Sequence, residues 1–186
     1  MDTSKHNLDP KKTIKVGNID FYLAPKCGTN TIRYAAYLYE GGKKIVNDVR
    51  DATYNILALK GGDVPYTSER RDSIKIVIKR DPVGRFQSAL RWYNTKYDQN
   101  LSVEDAIENT PDDPHFYSQT HFYGNPSKYD RIIHMSQIND IIMEYTGKSF
   151  GKIHKGMQTA DQLDLTPEQI DMIEEMYMED YDNGYC

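Results

Sequence analysis

The chain has 186 residues, enough for one domain with a substantial core and short for two. Its net charge of −5, from 23 basic and 28 acidic residues, argues against nucleic acid as a partner, since such proteins carry a basic excess or stripe. No apolar stretch approaches the ~20 residues of a membrane span, and residues 1–12 are polar where a signal peptide would be apolar.

Residues 1–11 read as a flexible tail and 12–186 as a single domain. Residues 12–16 alternate polar and apolar side chains, Gly17-Asn18 supplies a turn, and residues 19–24 have the composition of a buried strand. A hairpin entering a central strand is predicted. Pro25 cannot continue that strand, because it lacks the N–H for the ladder. A helix follows from about residue 29 to 40, with Ile32, Ala35, Ala36 and Tyr39 on one buried face and Gly41-Gly42 as its stop. Residues 56–59 fit a short strand or a helical turn equally.

Residues 73–79, Ser-Ile-Lys-Ile-Val-Ile-Lys, predict a second strand, ended by Arg80-Asp81-Pro82, with a helix over 83–97. Ser102, with Asp105 three residues on, caps a short helix containing Ala106 and Ile107. Residues 109–126 read as an ordered loop, 129–135 as a third strand, and 136–145 as a helix stopped at Gly147. After a loop over 149–165, Thr166 and Pro167 start a last helix with Ile170, Ile173, Tyr177 and Tyr181 on one side. Strands separated by helices predict an α/β fold, a central parallel sheet flanked by helices on both faces. Ligands sit beyond the carboxyl ends of such strands, so the segments after residues 24 and 79 are expected to meet.

The stretch Pro25-Lys26-Cys27-Gly28-Thr29-Asn30-Thr31 reads as a phosphate cradle. The first N–H groups of a helix lack partners, and its dipole favours negative charge there. Gly28 would let backbone approach the anion, Thr29 and Thr31 offer hydroxyls, and Lys26 a mobile charge. An ordinary strand-to-helix turn uses the same residue types. A helix N-terminus also lowers a thiol pKa, which makes Cys27 a nucleophile candidate. Cys27 and Cys186 are the two cysteines and form no disulfide framework, so a reduced, cytoplasmic location is expected.

This is not the G-x-x-x-x-G-K-[ST] nucleotide loop, because Lys26 precedes the glycine. It resembles instead the loop with which sulfotransferases hold the 5′-phosphosulfate of PAPS (3′-phosphoadenosine 5′-phosphosulfate). Residues 76–90, Ile-Val-Ile-Lys-Arg-Asp-Pro-Val-Gly-Arg-Phe-Gln-Ser-Ala-Leu, resemble that family's 3′-phosphate element, in which Arg80 and Ser88 would bind. A guanidinium fork at a strand end suits a phosphate, and a helix hydroxyl can add to it. Residues 112–119 are similar to the Asp-x-His-x-x-x-Gln pattern of the carbohydrate sulfotransferase branch, and Tyr177, Asp180 and Tyr181 to its closing Tyr-x-x-Asp-Tyr. Lys155-Gly156 resembles a loop that folds over the nucleotide, although a surface turn fits as well. The resemblance spans about residues 19–185. It implies the P-loop nucleoside-phosphate-binding fold of sulfotransferases, with PAPS held by Lys26, Cys27, Gly28, Thr29, Asn30, Thr31, Arg80, Ser88, Lys155 and Gly156.

The implied reaction moves a sulfuryl group to an acceptor hydroxyl or amine, that of a carbohydrate or small metabolite, and releases 3′,5′-ADP. Lys26 would stabilise charge growing on the leaving oxygen. No metal is expected, and no metal-ligand spacing is visible. Relatives place a basic histidine or glutamate between the two PAPS elements, yet no histidine lies between Lys26 and Arg80. His115 is the candidate base, with Glu69 and Glu40 behind it; a structural role in an aromatic loop fits His115 equally. Phe86, Trp92 or Tyr93 would wall the adenine. Two other readings remain: a P-loop kinase or nucleotide hydrolase, and a module that binds PAPS without catalysis.

Overall fold

Gly17 and Asn18 allow only an antiparallel return of the chain, and they decide the first edge of the sheet. In the computed structural model, which describes residues 13–41, 72–150 and 163–186, strand β1 (Thr13–Val16) pairs antiparallel with β2 (Ile19–Tyr22). Strands β3 (Ile74–Lys79) and β4 (Arg131–His134) follow in parallel, giving the order β1-β2-β3-β4. The fold is α/β, with a sheet that is mixed rather than wholly parallel. The reason is loop length: two residues can close a hairpin, whereas a parallel pair needs a crossover. The expectations for the tail, for residues 56–59, for Glu69 and for Lys155-Gly156 lie outside the described residues.

Four consecutive residues of β2 are buried, as are Ile76, Val77 and Ile78 of β3. Successive side chains point to opposite faces, so both faces of these central strands are covered. Helix α1 (Thr29–Tyr39) contributes Ile32 and Ala35 to the sheet core, together with Ile14, Phe21, Ile133 and Ile142. Asp20, buried on the other side of β2, accepts from the Ser73 hydroxyl at 2.6 Å.

Helix α2 (Pro82–Tyr97) starts directly from the end of β3. Asp81 caps it by accepting from Gly84 N at 2.6 Å, and Pro82 fills a first-turn position where a missing N–H does no harm. A second core packs its Phe86, Ala89 and Leu90 against α3 (Val103–Glu108), Phe116, and Ile173 and Tyr177 near the C-terminus. Residues expected as loop contain a short helix, α4 (Gln119–Tyr123), capped by the Ser118 hydroxyl. After β4 a 3₁₀ turn (Met135–Gln137) leads into α5 (Ile138–Thr146). The single last helix expected from Thr166 is two, α6 (Pro167–Met176) and α7 (Met178–Asp182), broken at Tyr177. The break lets the Tyr177 hydroxyl donate to Phe116 O at 2.7 Å while Asp180 turns inward. Among the described residues no helix is long and apolar enough to cross a membrane.

Candidate functional site

The ladder between β2 and β3 ends at the Tyr22–Val77 pair, and the backbone groups beyond it need partners. Tyr123 supplies them: its hydroxyl accepts from Ala24 N at 2.8 Å and donates to Ile78 O at 2.9 Å. Burial pushes this phenol well above its ordinary pKa, so it stays a neutral bridge. Beyond it, the loop at 25–28 and the Arg80 corner meet. Arg80 Nη1 donates to Lys26 O at 2.9 Å, and Arg85 Nε donates to Pro25 O at 3.2 Å.

Lys26 itself takes φ +68, in the left-handed region. A non-glycine residue there costs about 1–3 kcal/mol and persists only where its surroundings hold it. Here arginines grip the carbonyls of residues 25 and 26 and hold the turn, with Lys26 half-buried. Gly28, at φ +81, is the N-cap of α1. A Cβ on it would come within 3.1 Å of Ile138 Cδ1 and Met135 Cγ, so that side of the loop faces protein rather than a ligand. Glycine is required by the turn and by packing. No side chain caps α1 and no acidic residue lies in its first turn, so nothing within the helix offsets the positive end of its dipole. Thr29 Oγ1 donates to Ala24 O at 3.4 Å, Thr31 is half-buried and Asn30 is exposed.

Cys27 points the other way. It is fully buried, its Sγ donates to Gln119 Oε1 at 3.4 Å, and burial pushes the thiol pKa up despite Arg85 and Arg80 nearby. The nucleophile expectation fails on desolvation, which outweighs the helix terminus. Arg80 is partly buried, and burial holds its pKa below the ordinary value. Ser88 is buried in α2, and among the described residues no hydrogen bond joins it to Arg80.

His115 approaches Lys26 from the loop before α4. Its ring stacks on Trp92 with centroids 3.7 Å apart, and the Lys26 Nζ lies 5.9 Å from the same indole centroid. Lys96, one turn along α2 from Trp92, sits 4.4 Å from it. Asp113 Oδ1 receives both the His115 amide, at 2.9 Å, and the Nδ1 edge of the ring, at 2.6 Å. Burial lowers the His115 pKa below its ordinary value; Asp113 works against that shift, and Lys26 and Lys96 add to it. Burial would raise the Asp113 carboxyl, but the two hydrogen bonds from His115 outweigh it and hold it low. Burial thus favours the neutral imidazole, and Asp113 engages its Nδ1 edge.

The other expectations separate clearly. Glu40 lies at the far end of α1, about 16 Å from the cradle at ~1.5 Å per residue, so it does not join this group. Phe86 is fully buried in the second core. Trp92 is occupied by His115, and Tyr93 packs on Phe116 and Tyr97.

Three residues lie inside the motifs read from the sequence, yet their part in holding the site together was not read there. Asp113 had a local signal, an acid two residues before a histidine, which is the spacing of an Asx-type turn. Gln119 had none. Fully buried, it accepts from Arg80 N at 2.9 Å and donates to Arg80 O at 2.9 Å and Tyr185 O at 2.8 Å. Arg85, also fully buried, spans the two loops by donating to Pro25 O on one side and to Tyr117 O and His115 O on the other.

No protein-family model, no curated protein and no solved structure matches the chain.

Proposed function

We propose that the chain is a sulfotransferase of the P-loop nucleoside-phosphate-binding type, moving the sulfuryl group of PAPS to a hydroxyl or amine acceptor and releasing 3′,5′-ADP. One observation carries the reading: the two segments that resemble the PAPS elements leave adjacent parallel strands and touch, Arg80 to the Lys26 carbonyl at 2.9 Å. The residues present also fit a donor that is anionic at both ends. The α1 N-terminus lacks an acidic first turn, and Arg80 forms no ion pair among the described residues.

In this reading each side chain has one task. The fork of Arg80, with Ser88 behind it in α2, receives the 3′-phosphate. The first N–H groups of α1, with Thr29, Asn30 and Thr31, receive the 5′-phosphosulfate. Lys26 stabilises charge that grows on the leaving oxygen, an interaction stronger in the transition state than in the ground state. His115, held neutral by burial and oriented by Asp113 and Trp92, accepts the acceptor's proton at Nε2.

Two measurements test this. Calorimetry should show 3′,5′-ADP bound in preference to 5′-AMP, because only the former offers Arg80 a 3′-phosphate. A labelled-PAPS transfer screen over sugars, lipids and small alcohols should find an acceptor. Equal affinity for the two nucleotides would remove the reading.

A further inference from the structure

Lys26 and His115 sit on segments far apart in the chain, the loop after β2 and the loop before α4, and no strand or helix joins them. What lies between them is Arg85, in the first turns of α2. Its side chain is fully buried. A guanidinium in that position bears a desolvation penalty of several kcal/mol, yet among the described residues no carboxylate pairs with it. Its partners are main-chain carbonyls. Nε donates to Pro25 O at 3.2 Å; Nη2 donates to Tyr117 O and, at 3.5 Å, to His115 O. The Tyr177 ring lies 5.6 Å from Cζ, and Nη1 is buried without a hydrogen-bond partner. An apolar side chain would fill this volume without desolvating a charge. What it lacks is a rigid fork whose donors face two loops at once.

We infer that Arg85 is a positioning residue: its guanidinium braces the Lys26 loop against the His115 loop and sets the separation of ammonium and imidazole. The inference rests on the proposed pairing of Lys26 and His115 in one site. Arg85 touches neither reacting group. It grips the carbonyl of the residue before Lys26 and that of His115 itself, so the two side chains project from anchored backbone. Lysine in its place keeps a charge but has no planar fork, and cannot hold both loops.

The test reads the spacing directly. His115 is faced by Asp113 from its own loop, by Lys26 from the loop after β2, and by Trp92 and Lys96 from α2. Lys26 lowers the His115 pKa, so Lys26→Met should raise it, as followed by NMR of the imidazole. That rise should be present with Arg85 and absent in the Arg85→Lys background. The same rise in both backgrounds overturns the brace. In single turnovers at saturating PAPS, Arg85→Gln should lose ~10²-fold in rate, the scale of a displacement of about 1 Å, with 3′,5′-ADP affinity unchanged. Arg85→Lys should not restore it; full restoration overturns the inference. Should neither variant fold, NMR of the unaltered chain decides: slow guanidinium rotation and protected Nη protons support the brace, and free rotation overturns it. Lost coupling in a chain that never transfers sulfuryl keeps the brace and discards the transferase reading. Transfer with coupling intact in Arg85→Lys does the reverse.

Discussion

Lys26 and Arg80 leave the carboxyl ends of neighbouring strands, so the ladder between β2 and β3 has already brought them together. His115 hangs in a loop with no strand beneath it, held by contacts from the other end of the chain. Tyr177 donates to Phe116 O, and Ser118 donates to Glu179. Asp180, fully buried, accepts from Gln119 N at 2.9 Å and Thr120 N at 2.7 Å. The anion side is thus a product of local topology, whereas the base side depends on the C-terminal segment closing over it. Binding and chemistry should therefore be separable by mutation.

The sharpest separation is His115→Ala. A positioned general base is worth typically ~10²–10⁴-fold, and the variant should lose that in turnover while 3′,5′-ADP affinity stays unchanged. Unchanged turnover would return His115 to a structural role on Trp92 and move the base to Glu69.

Next come the two cations on the anion side. Lys26→Ala should lower the single-turnover rate at saturating PAPS by ~10²–10³-fold, because the leaving oxygen gains charge as the bond breaks. Arg80→Ala should instead weaken 3′,5′-ADP binding by about 1.5–3 kcal/mol, because the 3′-phosphate does not change charge. Normal rates for Lys26→Ala at saturation would make the lysine a binding group only.

Why the anion side was legible in the sequence follows from the same contrast. A strand, a turn residue and a helix start are encoded within a few positions, and residues 19–31 and 74–97 show each of them. Parallel pairing then needs no further information to bring Lys26 to Arg80. The base side is encoded non-locally. Nothing near Gln119 announces that its amide will clasp the Arg80 backbone, and nothing near Trp92 announces a histidine on its face. Gly28 shows the converse: its place in the cradle was legible, but its packing against Met135 and Ile138 depends on a segment far along the chain.

A stability measurement probes the clamp. Asp180→Ala leaves two N–H groups at the start of α4 without their acceptor, one of them in the fully buried Gln119. Orphaned buried donors cost about 1–3 kcal/mol, which urea unfolding should register. At denaturant levels where the variant is still folded, transfer should suffer more than 3′,5′-ADP binding. Gln119→Ala is the control that erases the separation, since its amide holds both the Arg80 corner and the C-terminal segment. It should lose both.

The smallest effect is a shift along the pH axis, and its sign is fixed by what surrounds His115. Neutral imidazole accepts the proton, so the rate falls on the acid side as the ring protonates. Burial holds its pKa below the ordinary 6.5, so the acid limb of kcat/KM should lie below pH 6.5. Asp113 alone pulls the other way. Asp113→Asn should therefore move the limb further to acid, while turnover falls because the ring loses its orienting carboxylate. Trp92→Ala uncovers the ring, removes desolvation and should move the limb up. Stability follows the same linkage: the unfolded chain binds the proton near 6.5 and the native chain only at lower pH. Between those values the unfolded state holds more protons, so stability falls as pH falls. A limb above 6.5, or shifts of the same sign in Asp113→Asn and Trp92→Ala, would mean that the titrating base is not the imidazole on Trp92.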